Sequence, residues 1–119
     1  MDRVVVLQLL AMLSLVMVAS ELHGHVDAAI TCADVTRSAS SCTLYVTGAV
    51  AGAPATCCAG IKNLNSMATT RVDRQTVCVC IKASIQKMKN LHPDRLSGLP
   101  HLCGVAIPYQ LSPTMDCSR

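Results

Sequence analysis

The chain has 119 residues and a formal net charge of +3; it carries eight cysteines and two tyrosines but neither phenylalanine nor tryptophan. That length allows one domain at most. Nucleic-acid binding is poorly served, because there is no basic run and two tyrosines offer little surface for base stacking.

The first element is an apolar run from Val4 to Val18, preceded by Arg3 and interrupted only by Gln8 and Ser14. It is shorter than the roughly 20 residues that span a bilayer, and it lacks the charged face of an amphipathic anchor. Small residues follow it, so it reads as a secretory signal peptide. Two cleavage points fit the small-residue rule: after Ala28, with Val26 and Ala28 at the recognised positions, or after Ser20, with Val18 and Ser20. The first is preferred, because the second leaves a polar stub, ELHGHVDA, with no evident use. Residues 1–28 are therefore expected to be the leader and residues 29–119 the secreted domain. That domain holds nine Lys and Arg against Asp34, Asp73, Asp94 and Asp116, a net charge of +5. Such a charge favours anionic membrane or cell-wall surfaces as partners.

Within the domain, Cys32, Val35, Ala39, Cys42 and Val46 recur at helical spacing, with Thr31 and Asp34 as a capping pair. The segment TGAVAGAP breaks this pattern, and Pro54 sits where a second helix can begin, with Cys57, Ile61, Leu64 and Ala68 facing inward. A third helix opens at TRVDR, with Thr70 as N-cap and Asp73 three residues on; its apolar stripe is Val77, Ile81, Ile85 and Met88. Pro93 and Asp94 start a shorter fourth helix, weakened by Gly98 and Pro100. After Gly104, VAIPYQLSPTMDCSR has two prolines and no helical period, as expected of an extended tail pinned by Cys117. The predicted class is all-α: four helices and a tail.

All eight cysteines lie in the secreted part, at 32, 42, 57, 58, 78, 80, 103 and 117. An even count in a short secreted chain implies disulfides. Zinc is disfavoured, since there is no CxxC pair and the domain has only His92 and His101; no metal or cofactor is expected. Cys78 and Cys80 are two apart on the third helix and so point about 200° apart. Each must hold a different partner.

The domain is rich in Val, Leu, Ile, Met and Ala, yet has no large aromatic ring for the centre of a core. Composition alone favours a small aliphatic core fixed by disulfides; the sharper alternative is an unfilled core that takes an apolar ligand. A void of ~400 Å³ costs on the order of 10 kcal/mol at ~24 cal/mol per Å³. Four disulfides at ~2–4 kcal/mol each offset a cost of that size.

The cysteine pattern C-x9-C-x14-CC-x19-C-x-C-x22-C-x13-C closely resembles that of the type 1 plant non-specific lipid-transfer proteins, over the whole secreted part. TRVDR (Thr70 to Arg74) resembles the family's T/S-x-x-D-R/K pentapeptide, and PYQLS (Pro108 to Ser112) its P-Y-x-I/L-S pentapeptide. The resemblance implies a right-handed four-helix bundle around a central hydrophobic tunnel, covered by the tail. It also implies the pairs Cys32–Cys80, Cys42–Cys57, Cys58–Cys103 and Cys78–Cys117. In function it implies a secreted, monomeric carrier that moves fatty acids, lysolipids or phospholipids between membranes or to the cell wall. Arg74 and Tyr109 then hold the ligand's polar head, although read alone they are a surface arginine and a tail tyrosine. The tunnel is expected to be lined by Leu64, Val77, Ile81, Ile85 and Met88, with Met67 a further candidate. Asp73 reads as a helix-terminal charge, and Lys82 as either a solvated residue or one near the mouth.

One residue departs from the pattern. Between the two cysteines of CxC, type 1 members usually have a polar residue; here it is Val79. Its helical neighbours Gln75, Thr76, Lys82 and Gln86 place it on the outer face, which fits Cys78–Cys117 and Cys32–Cys80. A helix rotated by half a turn would exchange the two partners. Among other functions, an enzyme lacks a recognisable nucleophile elbow. The rivals are an amylase or protease inhibitor of the same cysteine-rich helical superfamily and an antimicrobial defence protein. The ending MDCSR has no hydrophobic stretch of the GPI-signal kind, so no such anchor is expected.

Overall fold

The structure is a computed structural model describing residues 2–24 and 29–118, with backbone alone over 16–24. The N-terminal apolar run lies within helix α1 (Arg3–Gly24), which is exposed at every position from 4 to 15. The bond after Ala28 lies outside the described residues. Among those described, no helix is long and apolar enough to cross a membrane, and there is no strand.

Helix α2 (Cys32–Ala39) begins with a capping box. The Thr31 hydroxyl accepts the Asp34 N–H at 3.2 Å, and the Asp34 carboxylate accepts the Thr31 N–H at 3.0 Å, so two otherwise orphaned donors are satisfied. The Thr31 amide, and next its hydroxyl, hold the Asp34 carboxyl below its ordinary pKa. The expected single helix over 32–46 is interrupted: residues Ser40–Cys42 form a 3₁₀ turn before α3 (Thr43–Val46). The adjacent serines Ser40 and Ser41 sit at this kink, a residue pair at which helices commonly bend.

Pro54 (φ −61°, ψ 151°) is the N-cap of α4 (Ala55–Met67). Gly60 lies where α4 meets α2, and a Cβ there would collide with the Ser38 carbonyl. Only glycine lets the two backbones come this close. Helix α5 (Arg71–Lys87) starts at Thr70, whose hydroxyl accepts the Asp73 N–H at 3.0 Å. Helix α6 (Pro93–Leu102) tolerates Pro100 near its end and stops at Gly104, whose φ of +70° turns the chain back. The tail then runs along α5. Gln86 donates to the Pro113 carbonyl at 3.1 Å and Gln75 to the Ser118 carbonyl at 3.2 Å, so two turns of α5 grip it.

The cystines are Cys32–Cys80, Cys42–Cys57, Cys58–Cys103 and Cys78–Cys117, the pairs the resemblance implies. Val79 is 55% exposed, while Cys78 and Cys80 are buried on either side of α5. Cys78 belongs to a larger cluster with Cys42, Val46, Ile85 and Leu99; Cys80 joins Val35, Leu64 and Val77 in a smaller one. Ile81 packs against both. Tied on opposite sides, α5 stands between two apolar layers that it does not have to fill.

Candidate functional site

Three spaces adjoin one another between α5, its neighbours and the tail. The first, about 240 Å³, lies among α2, α4, α5 and α6, and includes Val35, Ile85, Met88, Leu96 and Leu99 in its wall. The second, about 110 Å³, is bounded by Leu64, Val77, Val105 and Leu111, with Arg74 and Tyr109 among its lining residues. Ile61 and Ile81 belong to the walls of both chambers. The third is an open vestibule of about 600 Å³ that shares Arg74, Pro108 and Tyr109 with the second. The order is therefore vestibule, small chamber, large chamber. Arg74 and Tyr109 stand at the first junction and the two isoleucines at the second.

This order follows from local structure. On α5, Arg74, Val77, Ile81 and Ile85 rise at spacings of three or four residues, so one helix face carries a charge at its outer end and branched alkyl groups along the rest. Met88, the C-cap, completes the inner wall. Tyr109 is delivered by the tail, which the seam along α5 holds in place. Left dry, the two chambers cost about 6 and 3 kcal/mol at ~24 cal/mol per Å³. Four disulfides at about 2–4 kcal/mol each are of a size to sustain that.

At the mouth, the Arg74 guanidinium donates to the Thr69 carbonyl at 3.3 Å, which fixes its stem against the start of α5. Tyr109 is half-buried. Burial pushes its phenol above the ordinary pKa, and the nearby Arg74 charge pulls it partly back. The phenol thus stays protonated, and a donor, throughout the neutral range. A guanidinium and a phenol at the entrance to an alkyl-lined space suit an amphiphile with an anionic or polar head.

All seven expected lining or head-group residues border these spaces: Ile81, Ile85 and Met88 the large chamber; Leu64, Val77, Ile81, Arg74 and Tyr109 the small one. Met67 does not. It sits on the last turn of α4, 36% exposed, and its sulfur takes a long contact from Asn63; Leu64, Asn65 and Ala68, at the same end of the helix, border the small chamber instead. Lys82 and Asp73 line neither chamber nor the vestibule. Leu96 and Leu99 of α6, and Val105 and Leu111 after it, were missed as liners. The i, i+3 spacing of the two leucines signals an inward face, but the tail has no period to read. Arg95 was also missed. It donates to the carbonyls of Tyr45 (3.0 Å) and Val50 (2.6 Å) and lies 4.9 Å from the Tyr45 ring centroid, so it ties the loop between α3 and α4 to α6.

Comparison with known proteins agrees with this geometry. The protease inhibitor/seed storage/LTP family matches residues 32–117. Non-specific lipid-transfer protein 3 of Arabidopsis thaliana is 46% identical over 96 residues, covering 79% of this chain and 81% of that one. Among solved structures, barley non-specific lipid transfer protein 1 in complex with lysophosphatidylcholine superposes with a TM-score of 0.73 at 37% identity, over 76% of this chain and 98% of that one. The wheat protein complexed with two phospholipid molecules gives 0.71 at 39% identity, over 76% and 99%. The chain belongs to the plant non-specific lipid-transfer proteins.

Proposed function

We propose that this protein is a secreted carrier that takes up fatty acids, lysolipids and phospholipids one at a time and releases them to membranes or to the cell wall. The observation that carries this reading is the single file of spaces, from an open polar vestibule past Arg74 and Tyr109 into an alkyl-lined interior. The ligand's acyl chain lies along Leu64, Val77, Ile81, Ile85 and Met88, and its head stays with Arg74 and Tyr109.

Transfer needs no energy source. Each buried CH₂ gains about 0.8 kcal/mol relative to water, but a bilayer offers the same gain, so the net free energy of exchange is small. Aliphatic walls distinguish poorly between chains, and selectivity is broad. The protein works as a monomeric binding protein, not an enzyme. Residues 1–28 direct it out of the cell and residues 29–119 are the mature carrier, whose net charge of +5 draws it to anionic surfaces.

The test is displacement of a fluorescent fatty acid from the oxidised, secreted protein by unlabelled lipids of different chain length. Saturable binding with mild chain dependence is expected. No saturable binding, together with inhibition of an amylase or a protease, would transfer the protein to the inhibitor branch of its family.

A further inference from the structure

No cysteine lies between Cys80 and Cys103, so the second half of α5, the turn after it and the start of α6 have no covalent tie. The large chamber takes part of its wall from this stretch, including Met88 and Leu96. Met88 stands about 21 Å beyond Arg74 along the helix, at 1.5 Å per residue, and among the chamber residues of α5 and its cap it is the farthest from Arg74. A clasp to the loop between α3 and α4 holds this end. The His92 N–H donates to the Val46 carbonyl at 2.7 Å, and the His92 ring lies so close to Gly48 that an added Cβ would collide with it. Arg95 donates to the carbonyls of Tyr45 (3.0 Å) and Val50 (2.6 Å), with its guanidinium over the Tyr45 ring. Among the described residues no other side chain from outside this loop hydrogen-bonds to positions 47–53. Val46 and Leu96, next in sequence to Tyr45 and Arg95, both line the large chamber.

We infer that Arg95 is the positioning residue that sets the upper limit on acyl-chain length, by holding Val46 and Leu96 in place beside Met88. Aliphatic side walls distinguish poorly between chains, whereas an end wall distinguishes them by length. A chain that outruns the chamber must part α6 from the loop, which breaks two charge-assisted hydrogen bonds and the stacking on Tyr45. The surrounding cystines confine that movement. Cys58–Cys103 fixes the far end of α6, and Cys42–Cys57 closes the loop at its base, so loss of the clasp frees the start of α6 without unfolding the bundle. An open hollow of about 490 Å³ borders His92 and Arg95, and it receives the end of a longer chain once the two sides separate. The inference rests on the reading of the chambers as an acyl-chain site.

The experiment measures the ratio of affinities for palmitate and for the longer erucate, by displacement of a fluorescent fatty acid from the secreted, oxidised protein. The unaltered protein should prefer palmitate. Arg95→Met should shift the ratio toward erucate by about fivefold or more while palmitate stays within about twofold, and Arg95→Lys, which keeps a charged donor, should shift it less. Gly48→Ala disturbs the same clasp from the loop side, by displacing the His92 ring, and should move the ratio in the same direction; it decides the matter should Arg95→Met not fold. A ratio unchanged in these variants, or equal losses for both acids, would overturn the role of Arg95 while leaving the carrier reading intact. Failure of the unaltered protein to bind either acid would overturn both.

Discussion

Ile61 of α4 and Ile81 of α5 are the two side chains common to both chambers, so the interior is divided where α4 and α5 approach. An acyl chain running from Arg74 toward the larger space meets both. Ile81 also packs against both core clusters.

Enlarging this septum should convert a long-chain carrier into a short-chain one. Ile81→Phe is expected to weaken palmitate about tenfold or more, while acids too short to reach the septum change little. Overpacking should cost about 1–3 kcal/mol of stability. Ile81→Ala should do the reverse, tolerating bulkier chains at a cost near about 2 kcal/mol, the low end for an isoleucine because the site already borders empty space. Displacement titrations over a chain-length series, read beside thermal melts, check both. A uniform loss across all lengths in Ile81→Phe would show that the two chambers are not filled in series.

The head-group junction separates charge from hydrogen bonding. Arg74→Ala should weaken a fatty acid more than the alcohol of equal length, since a charge-assisted bond is worth more than a neutral one. Tyr109→Phe should cost less and depend less on ligand charge. Equal losses for acid and alcohol in the arginine variant would show that Arg74, through Thr69, supports the start of α5 and does not hold the head.

Tyr109 also predicts an alkaline limit. Its pKa in the folded protein is raised, by burial, above the value of about 10 for an unfolded phenol. Its contribution to stability is therefore complete below about pH 10 and is lost as pH rises through the higher folded value. In a Tyr45→Phe background a single phenol titrates by absorbance. Its midpoint should lie above 10 and rise further in Arg74→Ala, because the Arg74 charge pulls it down. A midpoint at or below the ordinary value would place the phenol in solvent, outside the small chamber.

Gly60 tests the contact between α2 and α4. Gly60→Ala should destabilise by about 1–3 kcal/mol or more, because the added methyl meets the Ser38 carbonyl, backbone that cannot rotate away. Since α2 supplies Val35 to the large chamber, binding of long chains should fall with stability in this variant. An unchanged melting temperature would mean that the helices can separate at no cost.

Much of this molecule could be read from residue spacing. The helix starts at Thr31 and Thr70 are signalled by hydroxyl and carboxylate three residues apart, and the α5 stripe by its 3.6-residue period. The outward Val79 follows from its polar helical neighbours, and with it the side on which each of Cys78 and Cys80 must find a partner. The 3₁₀ turn at Ser40–Cys42 was not foreseen, because the apolar positions on either side keep nearly the same period through it. The division of the interior was also hidden, for Ile61 and Ile81 look like any other stripe residues until the two helices are set side by side.

The orientation of a bound chain is the most exposed part of the carrier reading, and paramagnetic broadening measures it. Stearate carrying a nitroxide near its carboxylate, or near its methyl end, is bound to the isotopically labelled secreted protein. The head-labelled ligand should broaden resonances of Tyr109 and Val105, and the tail-labelled ligand those of Ile85, Met88 and Leu99, with Val79 on the outer face spared by both. Broadening centred on Val79, or the same residues broadened by both ligands, would contradict a chain threaded from Arg74 and Tyr109 past Ile61 and Ile81 into the larger chamber.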